Sequence, residues 1–227
     1  MEIGIIGVGN IGGTLARKLA GLGHIVRIAN SRGPETLSEM AKEIGAAAVT
    51  VEEAARAKDL VIISIPEKAV PDLPRDILSN SPAVIIDTGN YYPVRDGSIP
   101  EIEAGMNESV WVSKMIGKRV VKAFNHIFAA SLAERGLPPG SPVRISLSIF
   151  GDDEADKQLV LSLINDIGFD GIDAGSLADS WRQQPGTPAY TIDVGVEARK
   201  AALAEADAGK TAEYRAQADE AARAWFA

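Results

Sequence analysis

The sequence predicts an α/β protein of the Rossmann type, with a doubly wound, mostly parallel sheet and a small C-terminal helical extension. Three observations predict this fold. Short segments rich in β-branched residues alternate with longer helical segments, which is the pattern of a parallel sheet with helices on its faces. Several strand-like segments are almost continuously apolar, as in strands covered on both sides. A glycine-rich turn joins the first strand to the first helix.

The predicted elements follow this alternation along the chain. The strands expected in the first half are residues 3–6, 25–29, 47–51, 60–65, 83–88 and 119–124. The helices expected between them are residues 12–22, 34–44, 51–57 and 68–78. Further along we expect helices at 126–135 and 154–167 and strands at 143–150 and 171–174. Residues 193–227 are rich in Ala, Glu and Arg and are expected to be helical, with a break at Gly209.

Length and composition exclude several classes of protein. The 227 residues include 23 Lys or Arg and 31 Asp or Glu, so the formal net charge is −8 and a long basic surface for nucleic acid is not expected. The chain has no Cys and two His, which excludes disulfides and thiolate catalysis and argues against a metal site. A strand-like run follows Met1 without a leader pattern, and no apolar run approaches the roughly 18 residues of a spanning helix. We therefore expect a cytoplasmic protein without nucleic-acid or membrane partners.

The glycine-rich turn has the spacing of a dinucleotide-binding loop. Gly7, Gly9 and Gly12 form Gly-x-Gly-x-x-Gly directly after a strand and at the start of a helix. In that setting Gly7 makes the tight turn, Gly9 lets the backbone approach a pyrophosphate, and Gly12 packs the helix closely on the strand. The helix that begins there then points its free N–H groups and the positive end of its dipole at the anion. The alternative is a plain strand-to-helix turn without a ligand.

The end of the second strand indicates which dinucleotide binds. An acidic side chain there would hold the ribose hydroxyls of NAD, but the chain has Asn30, Ser31 and Arg32 instead. A guanidinium beside a hydroxyl suits a 2′-phosphate, because the planar fork donates two parallel hydrogen bonds. We therefore expect NADP(H) as the cofactor. The alternative is that Arg32 is an ordinary solvated residue.

Further polar and turn residues lie where ligands of open α/β sheets bind, beyond the carboxyl ends of the strands. Ser64, Ile65 and Pro66 end the fourth strand, and Pro66 either turns the chain over the cofactor or only terminates the strand. Residues 87–90 end the next strand at the same rim. Tyr91 and Tyr92 either border a substrate ring or cover the sheet edge.

The acidic run at residues 152–156 resembles a metal-binding cluster in composition. It directly precedes a predicted helix, where carboxylates bind free N–H groups and stabilise the helix dipole. We therefore expect helix capping there.

These motifs together resemble those of the deazaflavin-dependent NADP oxidoreductases, a family that also resembles the NADPH-binding domains of membrane ferric reductases. The resemblance covers roughly the first 180 residues and rests on GVGNIGG at 7–13, ANSRGPE at 29–35, VIISIP at 61–66, VVKAFNHI at 120–127, FGDDEADKQLVLSLINDIGF at 150–169 and DAGSL at 173–177. It implies hydride exchange between NADPH and a flavin-like ring system, either a deazaflavin or a flavin, in a cleft beside the sheet rim.

The resemblance also implies a set of cofactor-binding residues. The pyrophosphate, the 2′-phosphate and the nicotinamide would be held by Gly7, Gly9, Asn10, Ile11, Gly12, Asn30, Ser31, Arg32, Ser64, Ile65, Pro66, Ala123, Phe124 and Asn125. Where archaeal members tend to have histidine, this chain has Asn125 with His126 beside it. His126 is the one candidate for protonating a reduced acceptor, and the alternative is a structural role. Residues 180–190 do not closely follow the archaeal members.

The sequence thus predicts an NADPH-dependent oxidoreductase with a small-molecule acceptor. Residues 1–150 would form the NADP-binding domain and residues 151–227 a sheet extension with a helical cap. An imine reductase of the pyrroline-carboxylate type is a second interpretation, although such enzymes carry a longer helical dimerisation region. A non-catalytic NADPH-binding regulator is the third. An apolar stripe of Tyr214, Ala218, Ala221, Ala222 and Trp225 is expected to pack on the core or on a second subunit of a homodimer.

Overall fold

The computed structural model describes residues 1–226, which form eight strands, eleven α-helices and four short 3-10 helices. The strands are β1 (Glu2–Ile6), β2 (Ile25–Ala29), β3 (Ala47–Ala48), β4 (Leu60–Ile63), β5 (Val84–Asp87), β6 (Val121–Lys122), β7 (Ser146–Ile149) and β8 (Asp170–Asp173). The α-helices are α1 (Asn10–Gly21), α2 (Ser38–Ile44), α3 (Val51–Ala55), α4 (Arg75–Ser79), α5 (Pro93–Asp96), α6 (Pro100–Glu103), α7 (Glu108–Ile116), α8 (Ala129–Glu134), α9 (Glu154–Asp166), α10 (Val196–Glu205) and α11 (Thr211–Phe226). The 3-10 helices are Pro34–Leu37, Glu67–Asp72, Leu177–Gln183 and Ala208–Lys210.

Six strands form one parallel sheet in the order β3-β2-β1-β4-β5-β6. This is the Rossmann strand order, and it confirms the predicted fold class. Ile3 of β1 pairs with Val26 of β2 on one side and with Leu60 of β4 on the other. The strand order therefore reverses at β1, and ligands of such sheets bind beyond the carboxyl ends of the strands at this switch point.

A second, two-stranded sheet extends this architecture. β7 and β8 pair in parallel. Lys122 at the end of β6 and Phe150 after β7 form an antiparallel bridge, with reciprocal N–H to C=O hydrogen bonds of 2.8 and 3.1 Å. The second half of the chain is thereby joined to the edge of the Rossmann sheet by backbone hydrogen bonds.

Two apolar layers cover the two faces of the main sheet, because its central strands are buried on both sides. Ile62 contributes to one layer, which includes residues of α1, α8 and α9. Its neighbours Val61 and Ile63 contribute to the other, which includes residues of α3, α4 and α7. This alternation along β4 is the period of two that a strand imposes.

Several predicted elements differ at their ends. The strands predicted at 47–51 and 119–124 are reduced to two residues each: α3 already begins at Val51, and a turn follows β6. The helix predicted at 68–78 is a 3-10 helix followed by the short α4, because Pro71 lacks an N–H and Pro74 disfavours a helical conformation at Leu73. Helices α5, α6 and α7 lie in a stretch where the sequence pattern predicted no element.

The predicted C-terminal helix is interrupted between α10 and α11 by residues 206–210, which include Gly209, the predicted break, and Ala227 lies outside the described residues. Of the predicted apolar stripe, Ala222 is buried and Tyr214 and Ala218 are half-buried, whereas Ala221 and Trp225 are exposed, Trp225 to 70%. The stripe thus packs on the chain in part, and α11 contacts α5: Val94 N–H donates to Asp219 at 2.7 Å. Packing of its exposed residues on a second subunit stays a prediction. No helix within residues 1–226 combines the length and apolar character needed to cross a membrane.

Candidate cofactor site

The glycine loop is packed so tightly that two of its three glycines admit no side chain. Gly7 has φ +94°, and a Cβ there would lie 2.2 Å from the carbonyl oxygen of Ser64. A Cβ on Gly12 would lie 2.0 Å from the carbonyl oxygen of Gly7. At Gly9, by contrast, a Cβ would meet no atom within 4 Å. The loop is therefore compressed against β4 on its inner side and open at Gly9 on its outer side.

The N-terminus of α1, which this loop leads into, lacks the groups that normally satisfy helix ends. Gly9 occupies the N-cap position and supplies no side chain to accept a hydrogen bond, and the first turn contains no acidic residue. The first N–H groups of a helix have no partner within the helix, and the dipole places partial positive charge there. This end of α1 is thus suited to an anion.

A cavity of about 600 Å³ opens beside this helix end, and we call it the cofactor cavity. It is lined by Ile6, Gly7, Gly9, Asn30, Ser31, Gly33, Pro34, Thr50, Val51, Glu52, Ser64, Ile65, Pro66, Ala69, Asp72 and Leu73. The cavity thus brings together residues after β1, β2 and β4, at the carboxyl ends of three adjacent strands. Its volume is within the range of small-molecule sites.

The loop after β2 is preorganised by its own side chains. Asn30 Oδ1 accepts from the Arg32 N–H at 2.9 Å, and its Nδ2 donates to Thr36 Oγ1 at 2.9 Å. Thr36 in turn donates to the Gly33 carbonyl oxygen at 2.8 Å. The Arg32 side chain is exposed and forms no ion pair with any carboxylate of residues 1–226, so its guanidinium is available to a ligand.

The predicted site residues divide into two groups. Gly7, Gly9, Asn30, Ser31, Ser64, Ile65 and Pro66 line the cofactor cavity. The others do not line it: Asn10 and the half-buried Ile11 lie on α1, Gly12 is buried against Gly7, Arg32 is on the exposed loop, and Ala123, Phe124 and Asn125 are buried.

Asn125 belongs to a buried hydrogen-bond network at the carboxyl ends of β5 and β6, which we call the rim network (Asn90, Asn125, Gln183 and Tyr190). Asn125 Nδ2 donates to Asn90 Oδ1 at 3.0 Å and to the Gln183 carbonyl oxygen at 2.9 Å. Its Oδ1 accepts from Gln183 Nε2 at 2.8 Å. Asn90 Nδ2 donates to the Asn125 carbonyl oxygen at 2.9 Å and approaches the Tyr190 hydroxyl at 3.3 Å. The segment 183–190 is thereby fixed to the sheet rim.

Tyr92 connects the rim network to the C-terminal helix. Its hydroxyl lies 2.7 Å from that of Tyr190, and its ring lies 5.6 Å from the ring of Phe226. Burial raises the pKa of both tyrosines, so both are protonated at neutral pH. Both Tyr91 and Tyr92 are buried, which favours the interpretation that they cover the sheet edge over the one in which they border a substrate ring.

Phe124 has a backbone conformation that is rare for a residue with a side chain. Its φ is +63°, in the left-handed region that non-glycine residues seldom adopt, and its ring is fully buried. Such conformations persist where surrounding structure holds them, often at functional sites. The turn after β6 is therefore held in place by its burial and by the bonds of Asn125.

His126 lies within the core. Its Nε2 accepts a hydrogen bond from the Ser148 N–H at 3.2 Å, and its side chain is fully buried. Burial lowers the pKa of His126 well below its usual range, with further lowering by Arg199 and Lys122. The imidazole is therefore neutral at physiological pH, and its contacts favour a structural role over protonation of an acceptor.

A second buried cluster lies beneath the rim, and we call it the acid cluster (Glu67, Asp87, Glu108 and Lys122). Lys122 Nζ lies 3.1 Å from Asp87 Oδ2, and both side chains are buried. Ser109 donates to the same Asp87 oxygen at 2.7 Å. Lys122 also donates to the Gly89 carbonyl oxygen. Lys122 thus forms an ion pair with one of the three carboxyls, Asp87.

The two remaining carboxyls of the acid cluster both have raised pKa values. Burial raises the pKa of Glu67 well above its usual range, and the Asp87 carboxylate raises it further. Burial also raises the pKa of Glu108 to about 7. Neither oxygen of Glu67 has a hydrogen-bond partner in residues 1–226, and Glu67 Oε1 lies 2.4 Å from where a Cβ on Gly89 would be. Lys122 keeps a raised pKa despite its burial, mainly because of Asp87.

Sequence reasoning missed two parts of this site. It missed the outer wall of the cofactor cavity: two of its residues, Gly33 and Pro34, lie in the segment ANSRGPE at 29–35 but were not predicted to bind, and no motif marks Thr50, Val51, Glu52, Ala69, Asp72 and Leu73. It also missed the acid cluster, for which a signal exists: Asp87 and Lys122 are charged residues in buried strands and are paired in the β5–β6 register.

The acidic run before α9 caps that helix, as predicted. Asp153 Oδ1 accepts from the Asp156 N–H at 3.0 Å. Arg119 pairs with both Asp153 and Asp156 at 2.9 Å. No group of three or more metal-ligating side chains is present within residues 1–226.

The strand order, the glycine loop and the cavity define the class of Rossmann-type dinucleotide-binding folds. Residues 2–91 match the family model described as NADP oxidoreductase, coenzyme F420-dependent. The structure is similar to that of the hypothetical protein SMa0349 from Sinorhizobium meliloti, with 30% identity, a TM-score of 0.71, and coverage of 86% of this chain and 95% of that one. At this identity and coverage, the chain belongs to the same family as SMa0349.

Other relatives are more distant or match a shorter segment. A proposed F420-dependent NADP reductase from Arthrobacter sp. FB24 is 24% identical, with a TM-score of 0.63 over 78% of this chain and 85% of that one. An imine reductase from Myxococcus stipitatus is 16% identical, with a TM-score of 0.57 over 89% of this chain and 58% of that one, and shows the fold alone. The Escherichia coli K12 protein YjhV is 49% identical over 57 residues, which are 25% of this chain and 42% of YjhV.

Proposed function

We propose that this chain is an NADP(H)-dependent oxidoreductase that transfers a hydride between the nicotinamide and a small flavin-like acceptor. The observation that carries the proposal is the uncapped N-terminus of α1, which meets the cofactor cavity at Gly7 and Gly9. A pyrophosphate there would accept from free N–H groups without displacing any side chain, because a Cβ at Gly9 would have no neighbour within 4 Å.

The loop after β2 supports NADP(H) over NAD(H). No carboxylate follows β2 directly, and the turn held by Asn30 contains Ser31, which lines the cavity, and next to it the exposed Arg32. A 2′-phosphate would gain hydrogen bonds from both groups. The matched family model, whose description names NADP, supports the same cofactor.

The redox chemistry itself belongs to the cofactor, which supplies the hydride when bound. The chain's own residues bind and orient it: Ser64, Ile65 and Pro66 form the wall toward β4. The turn of Ala123, Phe124 and Asn125 is immobilised behind that wall by the rim network. His126 stays neutral and holds this turn through Ser148, so it acts as a positioning residue. Alignment of this kind is the main protein contribution to a direct hydride transfer.

A flavin-like acceptor is supported by the matched family, which is described as coenzyme F420-dependent, and by the sequence motifs shared with deazaflavin-dependent oxidoreductases. The structure contains no carboxylate pair or triad in the cofactor cavity that would indicate acid–base chemistry on another substrate: its two acidic lining residues, Glu52 and Asp72, lie on different elements and are exposed.

Cofactor choice is tested by calorimetric titration with NADPH and NADH. We expect wild type to bind NADPH at least about tenfold more tightly, and Arg32→Ala to lose most of that preference while binding NADH unchanged, because a charged hydrogen bond is worth about 1.5–3 kcal/mol. Arg56→Ala is the matched control, since Arg56 is an exposed arginine that does not line the cofactor cavity. Equal affinities of wild type for both dinucleotides would contradict the assignment of NADP(H).

The acceptor is tested by stopped-flow measurement of NADPH oxidation with a deazaflavin, FMN and FAD. Turnover with one of these supports the proposal. Turnover only with a cyclic imine such as pyrroline carboxylate would support the alternative of an imine reductase, a class of enzyme with which this chain shares its fold. Tight NADPH binding without oxidation by any acceptor would support a regulator instead.

A further inference from the structure

A second cavity, of about 280 Å³, lies between the turn before α7, the 3-10 helix Leu177–Gln183 and the start of α11. It is lined by Gly105, Met106, Asn107, Ala178, Trp181, Gln184, Ala208, Thr211 and Arg215, none of which lines the cofactor cavity. The volume corresponds to roughly nine water molecules at about 30 Å³ each, enough for a small organic ligand. We call it the junction cavity.

Two buried donors of the junction cavity have nothing to bind within the described chain. Gln184 is 7% exposed, and its Nε2 has no hydrogen-bond partner. The Nε of Arg215 is buried and also has none. A buried polar group without a partner costs about 1–3 kcal/mol, and more for a charged group, so two on one small cavity indicate a missing acceptor.

The charges around the junction cavity favour an anionic acceptor. Arg215 forms no ion pair within residues 1–226, and its guanidinium stacks over the Tyr91 ring at 5.7 Å. Neither of the acids that face it, Glu103 and Glu108, forms an ion pair with it. Glu103 accepts from Tyr91 and Ser98 at 2.8 Å, and burial raises the pKa of Glu108 to about 7, so that Glu108 is only partly ionised at pH 7. The guanidinium therefore has no carboxylate of residues 1–226 within ion-pairing distance and can accept an anionic partner.

The other side chains of the cavity define its shape. Asn107 Nδ2 donates to the Ala178 carbonyl oxygen, and Thr211 Oγ1 donates to Ala208 at 3.3 Å, so both are already satisfied. Trp181 and Met106 supply apolar surface. The arrangement combines a planar guanidinium, an amide donor and an aromatic wall, which matches a carboxylate attached to a flat apolar group.

We propose that the junction cavity is a binding site for a small aromatic carboxylate, separate from the cofactor cavity, held by Arg215 and Gln184 with Trp181 against its ring. This site exists without bound cofactor. Its test is therefore independent of whether the chain is an oxidoreductase.

The first test uses benzoate as the probe, measured by calorimetry on the full chain without nucleotide. Benzoate binds, while its uncharged analogue benzamide binds at least about tenfold more weakly, as loss of a charged hydrogen bond predicts. Quenching of tryptophan fluorescence accompanies binding in wild type and is lost in Trp181→Phe. Absence of benzoate binding up to 10 mM (about 2.7 kcal/mol of affinity), or equal binding of benzamide, would overturn the proposal. Inorganic phosphate is the third ligand tested. If phosphate binds more tightly than benzoate, the site prefers an inorganic oxoanion, and the proposed class of ligand is overturned.

The second test removes the two donors separately. Arg215→Gln weakens benzoate binding at least about tenfold, whereas Arg223→Gln, a matched charge loss at an exposed position of the same helix, leaves it unchanged. Gln184→Met keeps the volume and removes an unpartnered donor, so thermal stability is retained while benzoate binding weakens. The opposite result for Gln184→Met, lower stability with unchanged benzoate affinity, would show that the amide only holds ordered water and would overturn the site.

Discussion

The cofactor cavity and the acid cluster both lie at carboxyl ends of strands in the main sheet, but they differ in whether their polar groups have hydrogen-bond partners within the chain. At the cavity, the glycine loop leaves the helix end of α1 without a cap and leaves open space at Gly9. At the acid cluster, Lys122, Ser109 and backbone groups surround the Asp87 carboxylate within the protein. The helix end at the cavity thus has hydrogen-bonding groups without partners in the chain, whereas the Asp87 carboxylate is bonded within the protein.

This difference indicates which residues respond to which perturbation. A change at an open position of the cavity wall, such as Gly9, meets no atom of the chain, so we expect it to weaken ligand binding and to leave the fold intact. Changes in the acid cluster leave a buried charge uncompensated, which costs several kcal/mol whether or not a ligand is present. Stability and cofactor affinity, measured on the same variants, therefore separate the two regions.

The largest effect is expected for Lys122→Met. The substitution leaves Asp87 buried without its counter-ion, beside Glu67 and Glu108, and should lower the free energy of unfolding by about 3–5 kcal/mol. The measurement is urea unfolding at pH 7. Lys114→Met, at an exposed position of α7, is the control and should change stability by less than about 0.5 kcal/mol.

A double variant sharpens the result. Lys122→Met combined with Asp87→Asn removes both charges and should recover part of the lost stability, since the unpaired charge causes most of the loss. If the single and double variants are equally unstable, the ion pair is not the reason for the effect.

The pH dependence of stability should show the protonated state of Glu108. Its pKa is raised by burial to about 7 in the folded chain, above an ordinary value of 4.5. A raised carboxyl pKa adds stability that is fully present below pH 4.5 and is lost as the pH rises through 7. Wild type should therefore lose about 3 kcal/mol from this group across that window, as 2.5 units at about 1.36 kcal/mol each indicate.

Glu108→Gln is the variant that isolates this contribution, because the amide resembles the protonated acid and does not titrate. We expect the difference in unfolding free energy between Glu108→Gln and wild type to grow from pH 4.5 to pH 8. Glu101→Gln, on the exposed surface of α6, should follow the wild-type profile. Parallel profiles for wild type and Glu108→Gln would contradict a protonated Glu108.

Two glycines of the same loop should respond differently to alanine. Gly9→Ala adds a methyl group in open space at φ −71°, so stability should stay within about 0.5 kcal/mol while NADPH binding weakens about tenfold or more. Gly7→Ala places a Cβ 2.2 Å from the Ser64 oxygen at φ +94° and should lower stability as well as binding. Thermal unfolding and NADPH titration on both variants check this, and a Gly9→Ala variant that binds normally would show that the anion lies elsewhere.

Much of the fold could be predicted from sequence because its signals are local. β2 begins and ends where predicted, and the loop from Gly7 to Gly12 marks the first strand and helix. The regions whose structure was not predicted from sequence depend on contacts with distant parts of the chain. α7 has a mixed apolar pattern and is defined by packing on α4 and on the segment Glu67–Asp72, which no sequence period encodes.

The site was predicted unevenly for the same reason. Gly7 and Gly9, which a spaced motif predicts, both line the cofactor cavity. Asn125 was predicted from family resemblance to flank the nicotinamide, yet it is buried and bonded to Gln183, 58 residues later. Its position therefore depends on a contact with the C-terminal part that spacing does not reveal.

The smallest effect concerns the two kinds of helix N-terminus in this chain, the uncapped α1 and the capped α9. Asp153→Ala removes the side chain that accepts from the Asp156 N–H at 3.0 Å and should cost about 1 kcal/mol, or roughly 2–4 °C in Tm. Asp153→Ser restores a capping oxygen without the charge. It should recover most of the lost stability, because the ion pair with the exposed Arg119 contributes little. NADPH affinity should not change in either variant, since only the uncapped helix end meets the cofactor cavity. A loss of NADPH binding in Asp153→Ala would contradict this separation of a helix end that serves the fold from one that is kept for a ligand.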